Sequence, residues 1–251
     1  MILEAKARND IVETGQRIWM KGFTAANDGN ISIRLNEEKI LITPSGVSKG
    51  FMNAADLLVC DMQGKVVSHH NRPVKPTTEL PMHLEIYQRR KDVHAIVHAH
   101  PPMATAFAAA GLSLKECLLA ETAILLGEVP LAPYATPSTR EVPRSIRPLL
   151  SECDAILLAN HGAVTYAKSL REAHYKMETL EHSAKVTFFA RQLGTPTPLT
   201  RKELEKIQGL KETVYGLKSQ ADGIKVDANP GGESTLVEII VEEVVKRLIQ
   251  S

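Results

Sequence analysis

Val93-His94-Ala95-Ile96-Val97-His98-Ala99-His100-Pro101-Pro102 carries a short apolar run into two histidines and a proline pair. Residues 93–98 have the length and apolar density of a buried strand. Pro101-Pro102 ends that strand and opens a short helix rich in alanine. Upstream, Pro73 to Pro76 breaks the chain and Thr77-Thr78 starts a helix running to about Arg90. A buried strand between two helices belongs in a layered α/β domain.

The flanking sequence extends this pattern. The first twenty residues read as a helix, with Ile11, Val12, Ile18 and Trp19 at helical spacing and Lys21-Gly22 stopping the run. Asn27-Asp28-Gly29-Asn30 is a turn cluster before two strand-like runs, 31–35 and 39–43, that read as a hairpin. Residues 57–61 and 65–67 bracket Gln63-Gly64 as a second hairpin. Residues 129–134 suggest an edge strand because of their prolines. Residues 138–150 read as a helix, 155–160 as a buried strand, 163–167 as its hairpin return, 169–193 as a long helix and 200–214 as one more. Hairpins mixed with helices predict an α/β sandwich and not a strictly alternating parallel sheet. The domain organisation is expected to be one domain over 1–218, a linker over 219–233 and an amphipathic helix over 234–251.

Composition narrows the function classes. The chain has 251 residues, 43% hydrophobic and 24% charged, enough for one domain with a proper core. Thirty basic and 29 acidic residues leave a formal charge of +1, with no general pull on nucleic acid or membrane. No apolar run is long enough to span a bilayer, and the charged N-terminus lacks the pattern of a signal peptide. Cys60, Cys117 and Cys153 lie far apart without a CxxC, which fits a reducing cytoplasm and neither a disulfide scaffold nor a thiolate metal site.

His98 and His100 carry the strongest chemical signal. Residues two apart on a strand share a face, so both imidazoles can point at one object. His161 follows the second buried strand and precedes Gly162. If the two strands are neighbours, three neutral imidazoles converge and leave a zinc ion with an open position, the catalytic arrangement. Histidines in the core or at the surface are the plainer reading. His69-His70, His83, His94, His174 and His182 lack such a setting and read as solvated or packed.

Glu79 lies at a helix start, with Thr77 as the expected N-cap and Glu79 in the first turn favoured by the helix dipole. That alone would explain it. The same helix start also offers N–H groups and the Thr77 and Thr78 hydroxyls to a phosphate, and a carboxylate beside a metal can shuttle protons. Asn27-Asp28-Gly29-Asn30 and Ser45-Gly46 add polar loop tips where glycine lets an anion approach closely; singly, each is an ordinary hairpin turn.

Taken together, Gly29-Asn30-Ile31-Ser32, Thr43-Pro44-Ser45-Gly46, Thr77-Thr78-Glu79-Leu80, His98-Ala99-His100, Ala132-Pro133-Tyr134 and Asn160-His161-Gly162 resemble the class II aldolase/adducin-head family, in its fuculose-1-phosphate aldolase branch. The resemblance covers about 1–217. It implies an αβα sandwich around a central, mainly antiparallel sheet, and a four-fold symmetric homotetramer with active sites between subunits. It implies Zn2+ held by His98, His100 and His161, with Glu79 as the acid/base carboxylate that can also approach the metal. Asn27, Asn30, Ser45, Gly46, Thr77 and Thr78 match phosphate-binding positions, and Tyr215 matches a C-terminal tyrosine that donates a proton in a neighbouring subunit's site; packing at a helix end is its plainer reading. The implied reaction is reversible cleavage of a ketose 1-phosphate, such as L-fuculose 1-phosphate, to dihydroxyacetone phosphate and an aldehyde such as lactaldehyde. The family pattern is altered in two places: Thr77-Thr78 replaces a serine pair, and no second active-site tyrosine is evident between Cys117 and Gly127. The epimerase branch carries Asp where Glu79 stands. The alternatives are a sugar-phosphate epimerase, an aldolase for another deoxypentulose phosphate, and a non-catalytic adducin-like binding head.

Beyond the family pattern, Leu236, Val237, Ile240, Val241, Val244, Val245 and Leu248 recur three and four apart. A short amphipathic helix needs its stripe buried. The segment resembles the encapsulation peptides of bacterial microcompartments, which would make a shell protein a partner; docking on its own tetramer is the competing reading.

Overall fold

Residues 4–68 and 74–213 are described by the computed structural model. Helix α1 spans Glu4–Met20 and precedes the hairpin of β1, Asn30–Arg34, and β2, Lys39–Ile42. Strand β3 is Leu58–Asp61 and helix α2 is Leu80–Arg89. Then come β4, Ala95–Ala99; α3, Pro102–Ala109; α4, Ala120–Leu125; β5, Leu131–Ala132; α5, Glu141–Ile146; β6, Ala155–Leu158; and β7, Gly162–Ala167. The long helix α6, Leu170–Leu193, and α7, Arg201–Thr213, complete the described residues.

The strands form one sheet in the order β3-β2-β1-β4-β7-β6-β5. Every neighbouring pair is antiparallel except β5 with β6. Side chains alternate across it. Ile31, Ile33, Leu41, Val97 and Leu157 pack on one face with Ile11 and Ile18 of α1 and Met177 and Leu180 of α6. Ile40, Ile42, Ile96, Ile156 and Tyr166 pack on the other with Ile86 and Tyr87 of α2 and Ile146 of α5. Both faces are therefore covered by helices, which is the expected αβα sandwich around a mainly antiparallel sheet.

The structure redraws several expected elements. The helix expected over 138–150 shortens to α5, and Arg147–Leu149 continues as a 3-10 turn, because Pro148 has no N–H for an α-helical bond. Pro130 and Pro133 hold β5 to two residues at the sheet edge. The second hairpin reduces to a bridge between Cys60 and Val66, beside the β2–β3 ladder. Helix α4 and the 3-10 turn Ala54–Asp56, closed by a capping box from Asn53 and Asp56, are additions to the expected set. The linker and C-terminal segment expected over 219–251 lie outside the described residues.

Candidate active site

Three sheet elements bring the histidines together. His98 lies in β4 opposite Asn30 of β1, and His100 is the first residue past the strand. On the other side β7 pairs with β4 so that Ala163 faces Ala99. The β6–β7 turn containing His161 is thus beside the end of β4. Asn160 enters this turn at φ 55°, a left-handed conformation that asparagine tolerates. Gly162 is needed for another reason: a Cβ there would sit 2.5 Å from His100 Cδ2 and 2.6 Å from the Ala99 carbonyl oxygen. The ring centroids lie 4.8–5.0 Å apart, and one ligand-capable nitrogen from each ring falls within 4.8 Å of the others.

Glu79 completes the cluster from the start of α2. The helix begins at Leu80 with Glu79 itself at the N-cap, so Thr77 is not the cap residue expected from sequence. Thr77 Oγ1 instead accepts from the Glu79 N–H at 3.3 Å, tightening the turn before the helix. The Glu79 side chain makes no capping bond. Its Oε2 lies 2.9 Å from His98 Nε2 and accepts from Asn30 Nδ2 at 2.9 Å. Its Oε1 is buried without a hydrogen bond, 3.4 Å from His161 Nε2.

Charge and tautomer follow from these contacts. His98 Nδ1–H donates to the Ala163 carbonyl at 2.9 Å, which turns Nε2 toward the cluster, 3.2 Å from His100 Nε2. Burial, reinforced by the neighbouring imidazoles, lowers His100 to about 3 and His161 to about 4, so both rings are neutral at physiological pH. Burial would raise Glu79, but His98, His161 and the Asn30 amide hold it well below the usual carboxylate range. Burial likewise opposes charge on His98, and the Glu79 carboxylate reverses that, raising it. Converging imidazole nitrogens and a buried carboxylate oxygen with no donor fit a divalent cation.

The predicted phosphate-site loops are joined to one another. Thr77 N–H donates to the Thr43 carbonyl at 3.1 Å, and Ser45 N–H to the Lys75 carbonyl at 2.9 Å. Ser45, Gly46 and Thr78 are exposed there, and Thr77 is buried. Thr78 Oγ1 accepts from Ser138 Oγ at 2.6 Å. Asn27 is exposed, and the contact that fixes its loop is made by its carbonyl. Asn30 is committed to Glu79 and the buried His83. Tyr215 lies outside the described residues.

Sequence reasoning missed three contributors. Lys49 is buried, and its Nζ donates to the carbonyls of Asn27 at 2.9 Å and Val47 at 2.5 Å, fastening two candidate loops together. Asp28 Oδ2 stands 3.5 Å from His100 Nδ1. His83 falls in sequence among the histidines that read as solvated or packed, although its position one helical turn after Glu79 signals a shared face. Cavity size does not mark this site: a hollow of about 750 Å3, with Lys6, Arg17, His94 and His174 in its lining, opens elsewhere.

The sequence pattern of the Class II Aldolase and Adducin N-terminal domain matches residues 9–188. The chain belongs to this family. It is 35% identical over 177 residues to an L-fuculose phosphate aldolase of Methanococcus maripaludis, covering 70% of this chain and 93% of that protein. It is 33% identical over 189 residues to a 3-oxo-tetronate 4-phosphate decarboxylase of Pectobacterium atrosepticum, covering 74% and 85%. The solved structure of an L-fuculose 1-phosphate aldolase superposes with a TM-score of 0.75 at 31% identity, over 80% of this chain and 94% of that one. Family and relatives together make the protein a lyase of the class II aldolase type.

Proposed function

We propose that this class II aldolase is zinc-dependent and reversibly cleaves a ketose 1-phosphate, L-fuculose 1-phosphate or a similar deoxyketose phosphate, to dihydroxyacetone phosphate and an aldehyde such as lactaldehyde. The observation that carries this reading is Glu79: its carboxylate leaves the helix end it could cap and turns to His98 and His161, with one oxygen free of any donor. His98, His100 and His161 would hold the ion, with Glu79 within reach of it. A bound zinc ion supplies Lewis acidity to the ketose carbonyl and the adjacent hydroxyl. At the candidate phosphate loops, Ser45–Gly46 and Thr78, with Asn27 nearby, would offer exposed donors to the phosphate, while Asn30 and Thr77 serve to hold Glu79 and the loops in place. After cleavage Glu79 moves the proton at the enediolate carbon, and Tyr215 of a neighbouring subunit serves the aldehyde oxygen.

The same reading makes the protein a homotetramer acting in the cytoplasm. None of the described helices is long and apolar enough to cross a membrane. The apolar stripe in the sequence of residues 234–251 would recruit the enzyme to a microcompartment shell, a reading that rests on that stripe and on the reactivity of lactaldehyde.

The decarboxylase relative supports a second reading at the same site. Loss of carbon dioxide from a 3-oxo acid phosphate also leaves an enolate, which the same cluster would stabilise. A panel of L-fuculose 1-phosphate, 5-deoxypentulose 1-phosphates, L-ribulose 5-phosphate and 3-oxo-tetronate 4-phosphate separates the readings. Triose phosphate release from the 1-phosphates is the expected result. Carbon dioxide release, or epimerisation alone, would replace it with the corresponding alternative.

A further inference from the structure

A buried line of hydrogen bonds runs along one face of α2 from Tyr87 to Glu79. Tyr87 Oη lies 2.8 Å from Ser32 Oγ, and Ser32 Oγ lies 2.7 Å from His83 Nδ1. His83 Nε2 lies 2.5 Å from Asn30 Oδ1, and Asn30 Nδ2 lies 2.9 Å from Glu79 Oε2. Ser32, His83 and Tyr87 are fully buried, and Asn30 nearly so. Arg34 anchors the far end, with its guanidinium 4.7 Å from the Tyr87 ring centroid and Nη2 donating to the Tyr87 carbonyl at 2.6 Å.

The direction of every bond in the line is determined. An ionised carboxylate only accepts, so the Asn30 amide must turn its NH2 to Glu79. Asn30 Oδ1 then accepts, and His83 must carry its proton on Nε2. Its bare Nδ1 accepts from Ser32 Oγ–H, which leaves Ser32 Oγ to accept from Tyr87 O–H. We infer that His83 is a positioning residue: it locks the Asn30 amide, and Asn30 in turn holds Glu79 Oε2 so that Oε1 stays free for the cation and the proton transfer. Burial keeps the ring neutral, lowering it to about 3, as this arrangement requires.

The inference rests on the proposed metal-assisted chemistry, so its test reads the cation as well as turnover. Full-length H83L, H83Q, N30A and N30A/H83L are compared with wild type, each checked for thermal unfolding and native mass. The readouts are Zn2+ affinity by competition with a chelating dye, the visible absorption of the Co2+-loaded protein, and kcat and KM for fuculose 1-phosphate cleavage. Glutamine can still donate to Asn30 Oδ1, whereas leucine cannot. H83L is expected to lose roughly tenfold or more in Zn2+ affinity and in kcat, the range of losses for an outer partner of a metal site, with KM little changed. H83Q should recover most of both, and N30A/H83L should be no worse than N30A. If H83L does not fold, H83N replaces it, too short to reach Asn30. Wild-type affinity, Co2+ spectrum and kcat in the leucine or asparagine variant would overturn the inference. So would a further equal loss on adding H83L to N30A. A wild-type protein that cleaves no phosphorylated ketose would defeat the proposed function, while the Zn2+ and Co2+ readouts would still decide the role of His83.

Discussion

Glu79 is the residue at which two local demands meet. Its position invites it to cap α2, and its side chain declines, facing His98 instead. Glu79→Gln should therefore leave the helix in place while slowing proton exchange at the dihydroxyacetone phosphate carbon by roughly a hundredfold or more, as expected of an acid/base group. Exchange at the wild-type rate would reduce Glu79 to a structural residue. A second expectation concerns His83 and acid. Its folded pKa, about 3, lies below the ordinary value of 6.5, so between these values the unfolded chain binds more protons than the native one. Its contribution to stability is thus complete above about pH 6.5 and is lost as pH falls toward 3. His83→Gln should flatten that part of the urea midpoint against pH profile; parallel profiles would contradict it. The candidate cluster of His98, His100 and His161 was legible in sequence because these histidines stand at strand ends, and Glu79 joined it through the family resemblance. Lys49 and Asp28 were not, because their contacts depend on which loop a side chain reaches across the fold, and His83 left only its spacing from Glu79 as a signal.

At the level of elements, the site depends on how closely β7 starts against the end of β4. Gly162→Ala would place a methyl against the His100 ring and the Ala99 carbonyl, of which the backbone atom cannot give way cheaply. The expected cost is about 1–3 kcal/mol, the usual range for overpacking, with a matching loss of metal affinity measured on the folded variant. Unchanged affinity would mean that the turn, and not the contact, positions His161. A separate joint ties α3 to α6: the Glu181 carboxylate accepts from Met103 N–H at 3.0 Å and Ala104 N–H at 2.8 Å. Glu181→Ala should cost about 1 kcal/mol in chemical denaturation, as loss of an N-terminal cap does. Long elements such as α1, α6 and the β1–β2 hairpin announce themselves by period. Elements shaped by a single proline do not: Pro148 turns the end of α5 into a 3-10 turn, and Pro130 and Pro133 trim β5. The short α4 has six residues, too few for a helical stripe to stand out from its surroundings.

For the molecule as a whole, the register of the strands explains why the candidate-site groups collect at one end of the sheet. Asn30 opens β1, His98 lies near the end of β4 with His100 just past it, and His161 lies in the turn into β7, so pairing in register delivers all of them to one place. The overall class was readable from the mixture of hairpins and helices, whereas strand order was not, since neighbours such as β1 and β4 are far apart in sequence. On the proposed recruitment reading, deleting residues 234–251 should leave turnover and native mass unchanged and abolish binding of the enzyme to shells. Loss of either activity or assembly would assign that segment to docking on its own protein. If the histidine cluster runs carbon–carbon cleavage through a bound ion, triose phosphate release from L-fuculose 1-phosphate must follow the metal, measured before chelation, after removal of metal, and after restoring Zn2+. The expected result is equimolar dihydroxyacetone phosphate and lactaldehyde, abolished by chelation and restored by zinc in wild type but not in His161→Ala. Cleavage that continues undiminished in the metal-free protein would contradict it.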